Sequence, residues 1–428
     1  MKNYLFKLVL VSLSWGALFL PIFLKAEILD DNFDLNHLKG QKLGYYIGSF
    51  DPIHLGHQQV IEQALKEGHV DYVLIYPAPG GDQFKNRTNL SLRQKMIESV
   101  YEQHPKVLFT HWTPKELQDK FAVFTTDLEI IGIIGSDVVT ETLMGKDKEL
   151  SEKYRSVFMR GIPLKEKHYE DTVGALMALK ASSFLVALRG DIDLFHLDGK
   201  IYDRPIRAFI QSSDYSSTKV RNAISEETCF EQFLSFNVQG IVKEEGLYGL
   251  IPRIDNSLRE MLREMQEKDQ LFRMNRLNRE LSSEEWNTWE TIDRVNGKKL
   301  HEIVNQYGWP GVSRVGLAGT YAMWLLVQHQ DDDIVFQKKC LELLKDAVAA
   351  YESPISNYAY LLDRINSNMG IPQIYGTQWT TIDGKVALYP VEDIQNLDVR
   401  RSDVGLCSLS EYKEQMKILC HLTDSDFK

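Results

Sequence analysis

From Lys42 to about Pro252 the chain alternates short, almost uninterrupted apolar runs with amphipathic stretches, and no other feature restricts its fold as much. The runs KLGYYIG (42–48), DYVLIYP (71–77), KVLFT (106–110), EIIGIIG (129–135), RSVFMR (155–160) and RAFIQ (207–211) are rich in branched and aromatic residues. Continuous hydrophobicity over so few positions is what strands buried on both faces require. Between the runs lie helical patterns such as HQQVIEQALKEG (57–68), in which Val60, Ile61, Ala64 and Leu65 share one side and Gly68 is placed to end the helix. Strand and helix in alternation predict an α/β fold, a parallel sheet with helices on both faces.

The alternation stops before the chain does. DNSLREMLREMQEKDQLFRMNRLNRELSSEEWNTW (255–289) is charged, helix-prone and free of proline and glycine, and opens a second, mainly helical domain over 256–428. Its Leu and Met spacing reads as a helix packing stripe. VGLAGTYAMWLLVQHQ (315–330) is shorter than a membrane span and closes in polar residues, so it reads as buried core. GIPQIYGTQWTTIDGKVALYP (370–390) reads as irregular or strand-containing. A length of 428 residues, 43% apolar and 25% charged, suits a globular chain of two domains. With 49 basic against 60 acidic side chains the formal charge is -11, and there is no basic stripe interleaved with aromatics, so nucleic acid is not the expected partner. The four cysteines, Cys229, Cys340, Cys407 and Cys420, lack C-x-x-C spacing and read as ordinary thiols, with a disulfide among the last three open only to an exported protein.

KLGYYIG runs directly into the loop SFDPIHLG, and a helix begins near His57. A loop that leaves the carboxyl end of a parallel strand for a helix N-terminus is where such sheets bind ligands. The helix end supplies unpaired N–H groups and partial positive charge. Gly48 and Gly56 allow close approach to the backbone, and Pro52 stiffens the loop. His54 and His57 are then placed to donate to phosphate oxygens and to stabilise charge building on them during a displacement.

GSFDPIHLGH (48–57) closely resembles the phosphate-binding signature of the nucleotidyltransferase superfamily with the His-x-Gly-His motif, bacterial nicotinate-nucleotide adenylyltransferases above all. SSTKVRNAI (216–224) resembles its second signature, Ser-Thr-x-x-Arg opening a helix. There Ser217 and Thr218 would cap the helix and offer hydroxyls, and Arg221, one turn on, would fork onto the β- and γ-phosphates. SLRQKMIESV (91–100) is similar to the superfamily's Arg-x-x-Met helix, and IIGSDVV (133–139) to its Gly-x-Asp turn, which would bring Gly135 and Asp137 to the nucleotide. VFMRG (157–161) is similar to a strand ending in arginine, here Arg160, and VKEEGLYGL (242–250) to a terminal Leu-Tyr element.

The resemblance covers about 42–250 of a first domain placed at 42–252. It implies a Rossmann-like sheet and in-line attack by a substrate phosphate on the α-phosphorus of ATP, with pyrophosphate leaving. Such a step needs alignment and charge neutralisation and no covalent nucleophile. His54, His57 and Arg221 would be catalytic, joined by Lys85 of the loop PAPGGDQFKNRTNL (77–90), while Gly48, Ser49, Phe50, Gly56, Gly135, Asp137, Arg160, Ser217 and Thr218 would hold the nucleotide. Mg2+ is expected with the ATP, carried by phosphates and water since no carboxylate cage is present. The family's Pro-Pro-His-Lys segment stands here as GGDQFK, and its Ser-Tyr-Thr-like substrate loop as AVFTTDLEI. The acceptor is therefore open among nicotinate mononucleotide, nicotinamide mononucleotide, phosphopantetheine or another phosphate; cytidylyl transfer and a non-catalytic nucleotide sensor are the alternatives.

In the second half YGWPGVSRVG, VQHQDDD, YAYLLDRI, IPQIYGTQW and DVRRSDVGL resemble, in this order, a bacterial domain of unknown function over about Ser257 to Met416. His329, Asp363, Arg364, Gln373 and Gln378 could converge on a pocket. Alternatively His329 caps a helix, Asp363 pairs with Arg364 or Arg401, and the glutamines satisfy backbone. Asp331 to Asp333 read as a solvated loop. At the other end, MKNYLFKLVLVSLSWGALFLPIFLKAE carries Lys2 and Lys7 ahead of an apolar run ending near Leu24, with Ala26 as a cleavage point. Residues 1–26 read as a signal peptide or a membrane anchor, so the expectation is export or membrane attachment, an anchor leaving the catalytic domain to face the cytoplasm.

Overall fold

The structure, a computed structural model, describes residues 28–78, 87–102, 104–122, 127–136, 138–139, 176, 179–188, 199–201, 204–278, 281–420 and 422–428. The chain divides into two compact units, one of Leu24–Gln239 with Leu247–Leu250, the other of Gly240–Gly246 with Ile251–Lys428.

The first unit is built on strands β1 (Ile28–Leu29), β2 (Lys42–Gly48), β3 (Tyr72–Pro77), β4 (Val107–Thr110), β5 (Glu129–Gly135), β6 (Ser183–Leu188), β7 (Lys200–Ile201) and β8 (Arg204–Gln211). They lie in the order β1-β4-β3-β2-β5-β6-β8-β7. Pairing is parallel throughout except for β7 against β8. Consecutive residues of β2, β3, β5 and β6 are buried, so both faces of the sheet centre are covered, as the continuous apolar runs require. The helices are α1 (Leu55–Lys66), α2 (Leu90–Tyr101), α3 (Pro114–Ala122), α4 (Ser217–Ser225) and α5 (Phe236–Glu245), the last containing the division between the units.

Central strand β6, SFLVAL, is absent from the runs recognised in the sequence, whereas RSVFMR lies outside the described residues. At Gly132 of β5 an added Cβ would stand 2.7 Å from the ring of Phe184, so the missing side chain makes room for a wholly buried aromatic on β6. From β2 the chain winds outward to β3 and β4, then returns to the other side of β2 as β5. Connections part in opposite directions at β2 and β5, and the crevice that opens beyond their carboxyl ends is where such sheets take ligands.

The second unit contains α6 (Asn256–Asn278), α7 (Ser283–Tyr307), α8 (Val312–Gln328), α9 (Ile334–Ala349), α10 (Ile355–Asn368), the hairpin β9 (Trp379–Ile382) and β10 (Lys385–Leu388), α11 (Leu397–Asp403) and α12 (Leu409–Cys420). Ser282 and Glu285 form a reciprocal capping box that starts α7. Trp324, Leu326 and Met323 of α8 are buried in this unit's core, as is Cys340. Cys229, Cys340 and Cys407 are free thiols.

Export or membrane attachment is not supported and is corrected here: among the described residues no helix is long and apolar enough to cross a membrane. Apolar α8 is 17 residues, about 25 Å, against a hydrocarbon core of about 30 Å, and its apolar side chains are spent on packing within its own unit. The N-terminal segment on which that expectation rested lies outside the described residues.

Candidate active site

Beyond Gly48, Phe50 adopts a left-handed backbone (φ 45°) and the Asp51–Pro52 peptide is cis. His54, extended at φ -138° and ψ 170°, is the N-cap of α1. Its imidazole and that of His57 are stacked with centroids 3.7 Å apart, and the Phe50 ring meets His57 edge-on at 4.9 Å. Both histidines are buried. The His54 backbone N–H donates to His57 Nδ1 at 3.3 Å. A neutral ring that accepts at Nδ1 carries its proton on Nε2, so His57 is set to donate from its far side. Gly56 is required by space: a Cβ there would stand 2.8 Å from Ser213 Oγ and 3.1 Å from the His54 ring.

Side chains from distant parts of the unit hold this loop. Arg93 of α2 is wholly buried, and its guanidinium donates to the carbonyls of Ser49 (2.6 Å), Ala78 (2.9 Å) and Thr88 (2.9 Å). Burial lowers its pKa, while Asp51 works against that shift. Buried Asp51 accepts from the Thr88 N–H at 3.0 Å and from the Tyr248 hydroxyl at 2.7 Å. Burial and the Asp51 charge together push the Tyr248 phenol upward. Arg221 of α4 donates through Nη1 to the Asp51 carbonyl at 2.6 Å and through Nη2 to Thr218 Oγ1 at 3.2 Å. The structure thus brings Arg221 onto the loop that carries His54 and His57.

One assignment changes. The cap of α4 is Ser216, whose Oγ accepts from the Lys219 N–H, and not Ser217 or Thr218. Ser217 Oγ instead donates to the Pro52 carbonyl at 3.1 Å, because it sits in the first turn, facing the loop. Gly135 closes β5 opposite Ala187. Lys85, Asp137 and Arg160 lie outside the described residues. Asp51 and Tyr248 were not among the expected site residues, and Arg93 was seen only as part of an Arg-x-x-Met pattern. A fully apolar helix face interrupted by one arginine was the available signal for Arg93; Asp51 and Tyr248 each lay in a quoted motif, but nothing pointed to their contact, 197 residues apart in sequence. Among the described residues no group of three or more His, Cys, Asp or Glu side chains could hold a metal ion.

In the helical unit four of the five expected residues are joined by hydrogen bonds, through Gln378 and Thr377. Asp363 accepts from the backbone N–H groups of Ile374 (2.7 Å), Tyr375 (3.1 Å) and Thr377 (3.0 Å) and from the Thr377 hydroxyl (3.0 Å), so it anchors a turn and pairs with neither Arg364 nor Arg401. Gln373 is spent on the backbone of Gln378 and Tyr389. Arg364 forks onto Asp331 (2.9 and 2.6 Å) and reaches Gln378 Oε1 at 3.2 Å. Asp331 to Asp333 do form a loop open to solvent, between α8 and α9, with Asp331 tied to Arg364 and Asp333 capping α9 through the Phe336 N–H. His329 ends α8, against Asp269.

Residues 45–223 match the family model described as cytidylyltransferase-like. Residues 256–421 match a family of unknown function, DUF6624. A probable nicotinate-nucleotide adenylyltransferase of Fusobacterium nucleatum is 22% identical over 207 residues, 48% of this chain and 98% of that protein. One from Clostridium perfringens is 31% identical over 111 residues, 23% of this chain and 53% of that protein. Among solved structures, Plasmodium falciparum nicotinic acid mononucleotide adenylyltransferase complexed with NaAD is 15% identical with a TM-score of 0.35, covering 49% of this chain and 98% of that one.

Proposed function

We propose that the first domain transfers the adenylyl group of ATP to the phosphate of a mononucleotide, nicotinate or nicotinamide mononucleotide first among acceptors, and releases pyrophosphate. The observation that carries this reading is the meeting of Arg221 with the loop of His54 and His57 at the head of α1. A triphosphate laid across that helix end would meet the His57 Nε2–H on one side and the remaining guanidinium N–H groups of Arg221 on the other. Negative charge shifts onto the β-phosphate as pyrophosphate leaves, and donors fixed beforehand favour that state over the ground state. Arg93, Asp51 and Tyr248 do not reach the phosphates in this reading; they position the loop. Mg2+ is expected to enter with the phosphates and be carried by them and by water, since the described residues provide no carboxylate cage for it.

Support for the acceptor comes from the names of the relatives that align over their full length. Support for CTP as an alternative donor comes from the description of the matching family. Pyrophosphate release should therefore be measured with ATP and CTP against nicotinate mononucleotide, nicotinamide mononucleotide and phosphopantetheine. The expected result is release with ATP and a pyridine mononucleotide, reduced about 100-fold or more by His57→Ala with ATP affinity largely kept. Nucleotide binding without release from any pair would replace the enzyme with a sensor.

A further inference from the structure

α5 is divided between the units: residues 236–239 belong to the first and Gly240–Gly246 to the helical one, after which Leu247–Leu250 return to the first. Each stretch is fixed inside its own unit. Asn237 Nδ2 donates to the Ser99 carbonyl at 2.7 Å, and Gln239 Nε2 to those of Glu231 and Leu234, each at 2.9 Å. One turn on, buried Lys243 reaches Glu352 Oε1 at 3.3 Å, and Glu352 Oε2 accepts from the Ser313 N–H at 2.8 Å, in the first turn of α8. Glu244 meets α8 a turn later. There Gly316 (φ 70°, ψ -178°) breaks the helical backbone, and the Leu317 N–H beyond the break donates to the Glu244 carboxylate, a negative charge where a helix start favours one. An added Cβ at Gly240 would stand 2.4 Å from Leu317 Cγ, so the bare glycine lets α5 lie directly on that turn.

Only Gly246 separates the end of α5 from the short turn Leu247–Gly249, which the Leu250 N–H closes on the Leu247 carbonyl at 3.2 Å. The link therefore holds one residue of slack. Gly246 and Tyr248 both take the left-handed backbone (φ 60°), easy for glycine and disfavoured for tyrosine. Such a conformation persists where its surroundings impose it. Here they deliver the Tyr248 hydroxyl to Asp51 Oδ1 at 2.7 Å, while the carbonyl of the same aspartate receives Arg221 Nη1 at 2.6 Å. Tyr248 thus holds the residue that seats the guanidinium.

We propose that the helical unit sets the rate of adenylyl transfer through this link, with Lys243, Glu244 and Glu352 as positioning residues that act by way of Tyr248 and Asp51 on Arg221. The inference rests on the adenylyltransferase reading of the first domain. While the grip on α5 holds, Tyr248 keeps Asp51 turned so that its carbonyl aims Arg221 at the departing phosphates; when the grip loosens, the guanidinium loses its seat. Misplacing a donor that acts on the transition state lowers kcat more than it weakens substrate binding. The test uses the full chain, with pyrophosphate release from ATP and nicotinate mononucleotide and, separately, hydrogen exchange of the amides of residues 48–57 by mass spectrometry. Tyr248→Phe should lower kcat about tenfold with the KM for ATP changed less than about twofold, and should speed exchange in that segment. Glu352→Gln should speed the same amides and lower kcat about threefold, yet add nothing in the Tyr248→Phe background, because both changes act along one route. If Glu352→Gln fails to fold by circular dichroism, Lys243→Met, which leaves Glu352 the Ser313 N–H, takes its place. The proposal is overturned by unchanged kcat and exchange in the folded variant of the helical unit, by an unaffected Tyr248→Phe, or by losses that multiply in the double variant. If wild type releases no pyrophosphate, the adenylyltransferase reading falls with the rate claim, and exchange alone decides the link: faster exchange in folded Glu352→Gln upholds it and unchanged exchange removes it.

Discussion

Arg93 places a permanent charge in a space without solvent and spends it on three carbonyls from three separate segments, Ser49, Ala78 and Thr88. Five fixed donors on one planar group suit this task, and a methionine of similar length would leave the carbonyls unmet. Arg93→Met should destabilise the first unit by about 3 kcal/mol in urea unfolding followed by circular dichroism. A loss under about 1 kcal/mol would mean that the guanidinium is not what ties these segments together. That His54, Gly56 and His57 stand at the start of a helix was legible from the motif they form, and Arg221 was singled out with them. The motifs also contained Arg93, Asp51 and Tyr248, but not what each would meet, since a buried polar residue has meaning only through partners that its own segment does not contain.

At the scale of elements, α6 and α7 are joined by the Asp269–Arg273–Asp293 chain. Burial pushes the Asp293 carboxyl up to about 7, with Arg273 pulling against it and Asp269 adding to the rise. The folded chain therefore keeps a proton that the unfolded chain releases near pH 4, and the stability this provides is lost as pH rises toward 7. Asp269 acts with the opposite sign, its contribution present above about pH 4 and lost only as pH falls toward 2. Between about pH 5 and pH 8 wild type should lose stability relative to Asp293→Asn, as measured by tryptophan fluorescence in urea. Parallel profiles for the two proteins would rule this out. The helices themselves were legible from charge and spacing, but the polar positions inside the α6 stripe were not, because a Leu and Met pattern looks the same whether or not its neighbours carry an ionic chain.

Over the whole molecule, each unit has a hydrophobic core of its own among the described residues, one within the parallel sheet and one among the helices. Among the described residues Trp286, Trp289, Trp309, Trp324 and Trp379 lie in the helical unit and Trp112 in the other, so fluorescence reports chiefly on one of them. Leu74→Ala, at a wholly buried position of β3, should lower a transition seen by circular dichroism by about 3 kcal/mol and leave the fluorescence midpoint in place. Coincident shifts in both probes would show instead that the chain unfolds as one body. Local pattern alone determined that a parallel sheet would form, that its first loop would meet a helix start, and that helices would follow. These are short-range properties, since burial on two faces and helical periodicity are set by neighbouring residues. Tertiary structure alone decided that Tyr248 would hold Asp51, that β6 would enter the centre of the sheet, and that His329 would face Asp269. Such pairings join segments far apart in the chain, where packing selects the partner and periodicity carries no trace of it.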